Sequence, residues 1–281
     1  MMTKNTMKLP SDDIIHYWTH HEDKKPVLVL VHGFTGSHEG FQYLVPLLTD
    51  FHLVIPDLPG FGISPLPHER LTLAELGELL VDFVEELGLD EPPYLLGHSM
   101  GSLVVAEAVR QHPVVAAHKL VLSSPVPSPV GMVEIRRIGV LASKLYYLAS
   151  HRLPVVGNKL ATSRTLTRFS STMIMTTKDK QLRSAIHDHH SNNLNFISSI
   201  GWYKRLYSQI NRTGMSRYKA TLRGFDVLVI NGDNDSVTPL RQQKKIAAAI
   251  GAKLAIIPEV GHLAHYEKPT ELAAAISDFL R

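Results

Sequence analysis

Apolar residues along this chain come in short solid runs separated by longer amphipathic stretches. Val27-Leu28-Val29-Leu30-Val31 is the clearest run, and similar ones stand near 52–56, 93–97 and 119–123. Such runs predict strands buried on both faces of a sheet. Helix-like patterning fills 72–88 and 101–112. Residues 12–21 read as a first strand, with Ile14, His16 and Trp18 alternating against Ile15 and Tyr17. Strand and helix in alternation predict an α/β fold, a mostly parallel central sheet covered by helices on both faces. The pattern lapses from about Pro125 to Arg223, where short amphipathic helical stretches are broken by Pro154, Gly157, Gly201 and Gly214. It resumes at 226–230 and 253–257 and closes with a helix from Pro269, a residue suited to a first helical turn. The expected organisation is therefore one core, 1–124 and 224–281, interrupted by an all-helical insertion at 125–223.

The junctions between these elements carry the chemistry. Pro93-Tyr94-Leu95-Leu96 runs into Gly97-His98-Ser99-Met100-Gly101, and a helix follows. A serine in G-x-S-x-G between strand and helix is a nucleophile elbow. The turn is so tight that a side chain two positions away on either side would clash with neighbouring backbone. It also sets the Ser99 hydroxyl at a helix start, where free N–H groups can stabilise a developing oxyanion. An acyl-transfer serine needs a base and an orienter for that base. The strand Val227–Ile230 leads into Asn231-Gly232-Asp233-Asn234-Asp235, and the strand from Lys253 leads into Glu259-Val260-Gly261-His262. Upstream, Val27–Val31 enters His32-Gly33-Phe34-Thr35-Gly36, a source for a second oxyanion amide.

Taken together, these motifs make the chain resemble the serine α/β-hydrolases over nearly its whole length. The His-Gly motif, the turn Asp57-Leu58-Pro59-Gly60-Phe61-Gly62-Ile63-Ser64, the elbow, the acid loop and Gly261-His262 fall in family order. The resemblance implies Ser99 as nucleophile, His262 as general base and Asp235 as its orienter, with the Phe34 and Met100 amides as oxyanion donors. In the family pattern the acid stands three residues after the strand-ending glycine and four before a proline, so Gly232 and Pro239 select Asp235. Asp233 is then a turn residue. Asp57 is expected to be structural, His32 to brace the oxyanion loop and His98 to fill the elbow. An insertion at 125–223 resembles the helical cap that roofs the serine in many relatives.

Composition narrows the remaining classes. The chain has 281 residues and no cysteine, which removes disulfides, thiolate metal sites and cysteine nucleophiles. No P-loop or metal-ligand spacing is present, so neither cofactor nor metal is expected. His189-His190 are adjacent, and neighbouring side chains on a helix diverge. The N-terminus leads into no apolar signal segment and no stretch approaches a membrane span, which makes a cytoplasmic location the expectation. Charge is split unevenly. Residues 125–223 hold sixteen Lys/Arg against three Asp/Glu, a net of +13, while the rest nets −10. Three readings of this stay open: the insertion docking on an acidic body, an anionic substrate, or weak contact with an anionic lipid surface through Met132, Ile135, Leu141, Leu145, Tyr146 and Tyr147. Nucleic acid is not expected, since no binding motif accompanies the charge.

The expected function is hydrolysis of a carboxylic ester of small or medium acyl size through an acyl-enzyme. An alternative is carbon–carbon bond hydrolysis, or an elimination like that of the menaquinone-pathway enzyme, on an anionic substrate. The loop Gly261-His262-Leu263-Ala264-His265-Tyr266-Glu267 resembles that enzyme's histidine loop, whereas Ser102 stands where many relatives carry glycine. A third class is a non-catalytic ligand receptor on the same fold. Oligomeric state is not encoded legibly.

Overall fold

A computed structural model of the chain describes residues 2–127, 163–196 and 199–281. Eight strands form one sheet: β1 (Thr3–Lys8), β2 (Ile14–His20), β3 (Val27–Val31), β4 (His52–Pro56), β5 (Tyr94–His98), β6 (Lys119–Ser123), β7 (Asp226–Gly232) and β8 (Lys253–Ile257). Their order is β1-β2-β4-β3-β5-β6-β7-β8. The strands from β4 to β8 pair in parallel, and β2 joins β4 antiparallel. All five residues of β3 are buried, as are the last four of β4, β5 and β6. Burial on both faces is why these strands read as solid apolar runs.

The expectation that 12–21 forms the first strand is corrected. That segment supplies β2, and β1 precedes it as its antiparallel hairpin partner, Thr3 opposite Thr19 through Lys8 opposite Ile14. β1 lies at the sheet edge with a mostly exposed surface. An edge strand needs no apolar face, and its Lys4 and Lys8 discourage further pairing. A Leu9–Asp13 turn, in which the Leu9 amide donates to the Asp13 carbonyl at 2.8 Å, closes the hairpin.

Helices cover both faces. On one, α1 (Leu73–Glu86) and α2 (Met100–Gln111) pack together, with Leu76, Leu80, Phe83, Leu103 and Val104 in one large apolar cluster. Thr72 opens α1 with a reciprocal box: its hydroxyl accepts from the Glu75 amide at 3.2 Å, and Glu75 accepts from the Thr72 amide at 2.7 Å. On the other face, α9 (Pro269–Leu280) packs Leu272, Ile276 and Phe279 against Leu28, Leu30 and Val121.

Between β6 and β7 the described chain is helical: α3 (Arg164–Ile174), α4 (Lys180–Asn193), α5 (Ile200–Arg212) and the single turn α6 (Lys219–Leu222). The apolar residues named for lipid contact, Met132 to Tyr147, lie outside the described residues. α5 and the segment after it share the apolar cluster of α1 and α2. Trp202 on α5 is fully buried and donates its indole N–H to the Leu71 carbonyl at 2.9 Å. Tyr218 donates to the buried Glu107 carboxylate on α2 at 2.8 Å, and burial followed by that carboxylate raises its phenol pKa. Completing the fold are α7 (Leu240–Ile250) and the short α8 (Ala264–Glu267). Among the described residues no helix is long and apolar enough to cross a membrane.

Candidate active site

The chain leaves β3 toward β4 on one side and returns to β5 on the other, so a crevice opens at the carboxyl ends of β3 and β5. Ser99 stands there, between β5 and the first residue of α2, at φ 51° and ψ −116°. That backbone costs a non-glycine residue about 1–3 kcal/mol. The neighbours hold it: the Ser99 amide donates to the Ser123 carbonyl at 2.9 Å, and its carbonyl accepts from the Ser102 amide at 3.0 Å and hydroxyl at 2.5 Å. Ser102 thus contributes a bond that glycine would lack. A Cβ on Gly97 would fall 2.5 Å from the Gly101 carbonyl oxygen, and one on Gly101 would fall 2.3 Å from that of Val31. Both elbow glycines are required by close approach.

His262 follows β8, and Asp235 follows β7. His262 Nε2 lies 3.0 Å from Ser99 Oγ, and its Nδ1 lies 2.9 Å from Asp235 Oδ2. An ionised carboxylate only accepts, so Nδ1 carries the ring proton and Nε2 accepts from the serine hydroxyl. Asp235 also accepts from the Val237 and Thr238 amides, both at 2.8 Å, and from the Thr238 hydroxyl at 2.7 Å. Burial alone would raise its pKa. The His262 imidazole, by its attraction once protonated and its hydrogen bond, and the Thr238 donors outweigh it and hold the carboxyl below the ordinary range. Asp233 is exposed, so of the two acids only Asp235 faces the imidazole.

The loop after β3 lies against the serine; a Cβ on Gly33 would sit 3.1 Å from that of Ser99. His32 is buried beneath it, its Nδ1–H donating to the Gly33 carbonyl at 2.8 Å while Nε2 accepts from the Leu58 amide at 3.0 Å. Burial lowers the His32 pKa, which suits this neutral form. The Gly33 carbonyl accepts a second time, from the Gly36 amide at 3.0 Å, and Thr35 between them adopts φ 64°. Among the described residues the Phe34 and Met100 amides donate to no acceptor. Asp57 is fully buried and accepts from the His38 amide, the His38 ring and the Ile63 amide at 2.8–3.0 Å, a turn-holding role.

Sequence reasoning missed the polar groups that the insertion and the α8 turn bring to this site. His265 and His98 lie close to His262, the two tilted rings with centroids 4.3 Å apart and His98 5.1 Å from His262. Burial, then the neighbouring histidine charges, push His265 down to about 3 and His98 well below its usual value. His190 on α4, hydrogen-bonded to Ser171 at 2.7 Å, is lowered to about 4 by the same causes. His189 instead pairs with Gln42 at 2.9 Å, while both rings lie about 6 Å from Tyr266. Glu267 accepts from the Thr176 hydroxyl at 2.5 Å and the Thr177 amide at 2.6 Å, fastening the α3–α4 turn to the histidine loop. Only the adjacency of His265 and Glu267 to His262 could have hinted at them. Among the described residues no group of three or more ligand side chains could hold a metal.

Beside the loop, Thr35, Gly36, Phe61, Asn193, Leu194, Phe196 and Tyr203 line a recess of about 230 Å³, counting its open mouth. Phe34 stacks on Tyr203 with centroids 4.2 Å apart. Of the eleven Lys and Arg described between 163 and 223, nine are exposed.

A family model described as the alpha/beta hydrolase fold matches residues 26–269. Over 275 residues, 92% of each chain, this protein is 30% identical to pyrrolizixenacetamide deacetylase of Xenorhabdus hominickii. A stretch of 102 residues is 35% identical to an esterase/lipase-named protein of Mycoplasma genitalium, covering 36% of this chain and 37% of that one. An esterase structure from Exiguobacterium antarcticum shares the fold over 99% of both chains, with a TM-score of 0.78 at 15% identity. With strand order, elbow and family model in agreement, the chain belongs to the alpha/beta hydrolase fold family.

Proposed function

We propose that this protein is a serine hydrolase cleaving a carboxylic ester of small or medium acyl size. The observation that carries the reading is the continuous Ser99–His262–Asp235 line, with links of 3.0 and 2.9 Å. Ser99 Oγ attacks the acyl carbon while His262 Nε2 takes its proton, and Asp235 holds the imidazolium. The tetrahedral oxyanion accepts from the Phe34 and Met100 amides. Collapse expels the alkoxide, which leaves as the alcohol with the proton from His262. Water, deprotonated by His262, then attacks the acyl-enzyme and releases the acid. Residues 125–223 serve as a cap over this chemistry, on a body made of 1–124 and 224–281.

The outward direction of the described cap cations favours a neutral ester over the anionic substrates that a carbon–carbon hydrolase or eliminating relative would take. The test is hydrolysis of p-nitrophenyl esters of two to twelve carbons, with Ser99→Ala as control. Turnover peaking at one chain length and lost in the variant is the expected result. Phosphonate labelling of Ser99 without ester turnover would move the reading to carbon–carbon or elimination substrates. Neither turnover nor labelling would make the protein a receptor.

A further inference from the structure

Asn193 closes α4, within the insertion, and is 8% exposed. Its Nδ2 donates to the Thr35 carbonyl at 2.9 Å, and its Oδ1 accepts from the Ser37 hydroxyl at 3.1 Å. Both partners belong to the loop that carries the Phe34 amide. A cap helix therefore grips the oxyanion loop through a buried side chain.

The connection can be followed peptide by peptide. The Thr35 carbonyl and the Gly36 amide are opposite ends of one planar trans peptide group. That amide donates to the Gly33 carbonyl at 3.0 Å. The Gly33 carbonyl and the Phe34 amide are likewise opposite ends of one peptide group. A run of hydrogen bonds thus passes from Asn193 through two peptide units and ends at the Phe34 N–H. Fixing the Gly33 carbonyl fixes that N–H in the opposite direction, and each bond polarises the next. Thr35 joins this run in a left-handed conformation, φ 64°, which a β-branched residue adopts rarely. The Asn193 bond to its carbonyl fastens it in that conformation from the side of α4.

We propose that Asn193 is a positioning residue for the oxyanion hole, acting from the cap through the Thr35–Gly36 and Gly33–Phe34 peptides. Its side-chain bonds go to Thr35 and Ser37, and none goes to Ser99. The proposal rests on the reading of Phe34 as an oxyanion donor, and it links a seated α4 to a competent hole.

The test uses Asn193→Ala, Asn193→Asp and Thr35→Gly in the full chain, with thermal melts to confirm folding. Asn193→Asp keeps the size and the acceptor for Ser37 but loses the donor to Thr35. Both Asn193 variants are expected to lower kcat on the preferred ester by about tenfold to a hundredfold, below the loss from deleting a donor outright. KM should stay within about twofold, since the group binds the transition state only indirectly. The affinity of an arylboronic acid, whose serine adduct places an oxyanion in the hole, should fall in step with kcat. Glycine adopts the positive φ without strain, so the kcat loss from Asn193→Ala should shrink when measured in a Thr35→Gly background. A raised KM with unchanged kcat, an active Asn193→Asp, or an undiminished loss in that background would each overturn the proposal. If the unmodified protein neither hydrolyses esters nor labels with a phosphonate, the proposed function fails and takes this inference with it.

Discussion

Two aspartates two residues apart sit on the loop after β7, and their surroundings separate them. Asp235 is fully enclosed and accepts from His262 and Thr238, while Asp233 faces solvent. Asp235→Asn should reverse the preferred imidazole tautomer and lower kcat by about 10⁴-fold, whereas Asp233→Asn should leave it nearly unchanged. Steady-state kinetics of the two variants decide it; equal losses would remove the distinction. Ser99→Ala and His262→Ala should each cost on the order of 10⁶-fold. The serine was legible because its turn forbids side chains at Gly97 and Gly101, a local constraint written in adjacent letters. Asn193 and His190 were not legible, because they act through residues distant in sequence: Thr35 lies 158 positions from Asn193, and Tyr266, beside the His190 ring, lies 76 positions on. Nothing local distinguishes them from other helix-surface residues.

At the scale of elements, legibility followed burial. β3 through β6 announced themselves because both faces are covered, and β1 stayed hidden because a mostly exposed edge strand carries no solid apolar run. The insertion's helices were anticipated, but their attachment was not. The apolar face of α5 belongs to the same core as α1 and α2, through Trp202, Leu206 and Ile210. Trp202→Ala should therefore destabilise the whole domain by about 3–5 kcal/mol, as loss of a large core side chain does. Urea unfolding measures this. A wild-type midpoint with altered substrate selectivity would instead mean that the insertion folds apart from the body.

For the molecule as a whole, the buried histidines set a pH window. His265, His190 and His98 are neutral in the folded state, with pKa values pushed to about 3, to about 4 and well below the usual value. The unfolded chain binds protons at these groups from pH ~6.5 downward. Between that pH and the folded values the unfolded state carries more protons, so stability rises with pH and is lost as pH falls. The loss approaches about 1.4 kcal/mol per pH unit for each fully responding histidine. Melting temperature should drop from pH 6.5 toward pH 4.5, above the range where most carboxylates titrate. His265→Asn should flatten that slope, and a flat wild-type profile would refute the arrangement.

β6 and β7 are hydrogen-bonded neighbours, Lys119 opposite Asp226 through Ser123 opposite Ile230. The long excursion between them is pinched at its base, where the Met215 amide donates to the Val126 carbonyl at 2.8 Å. Closing such a loop has an entropy that grows only with the logarithm of its length, so doubling it costs about 0.6 kcal/mol. The sheet is nearly indifferent to how much chain is spliced at this point. What limits exchange is a small set of seats on the body, the Leu71 carbonyl that receives Trp202 and the Glu107 carboxylate that receives Tyr218. A foreign segment that fills those seats could be carried by the same machinery, which makes this seam the natural place to transplant a new selectivity.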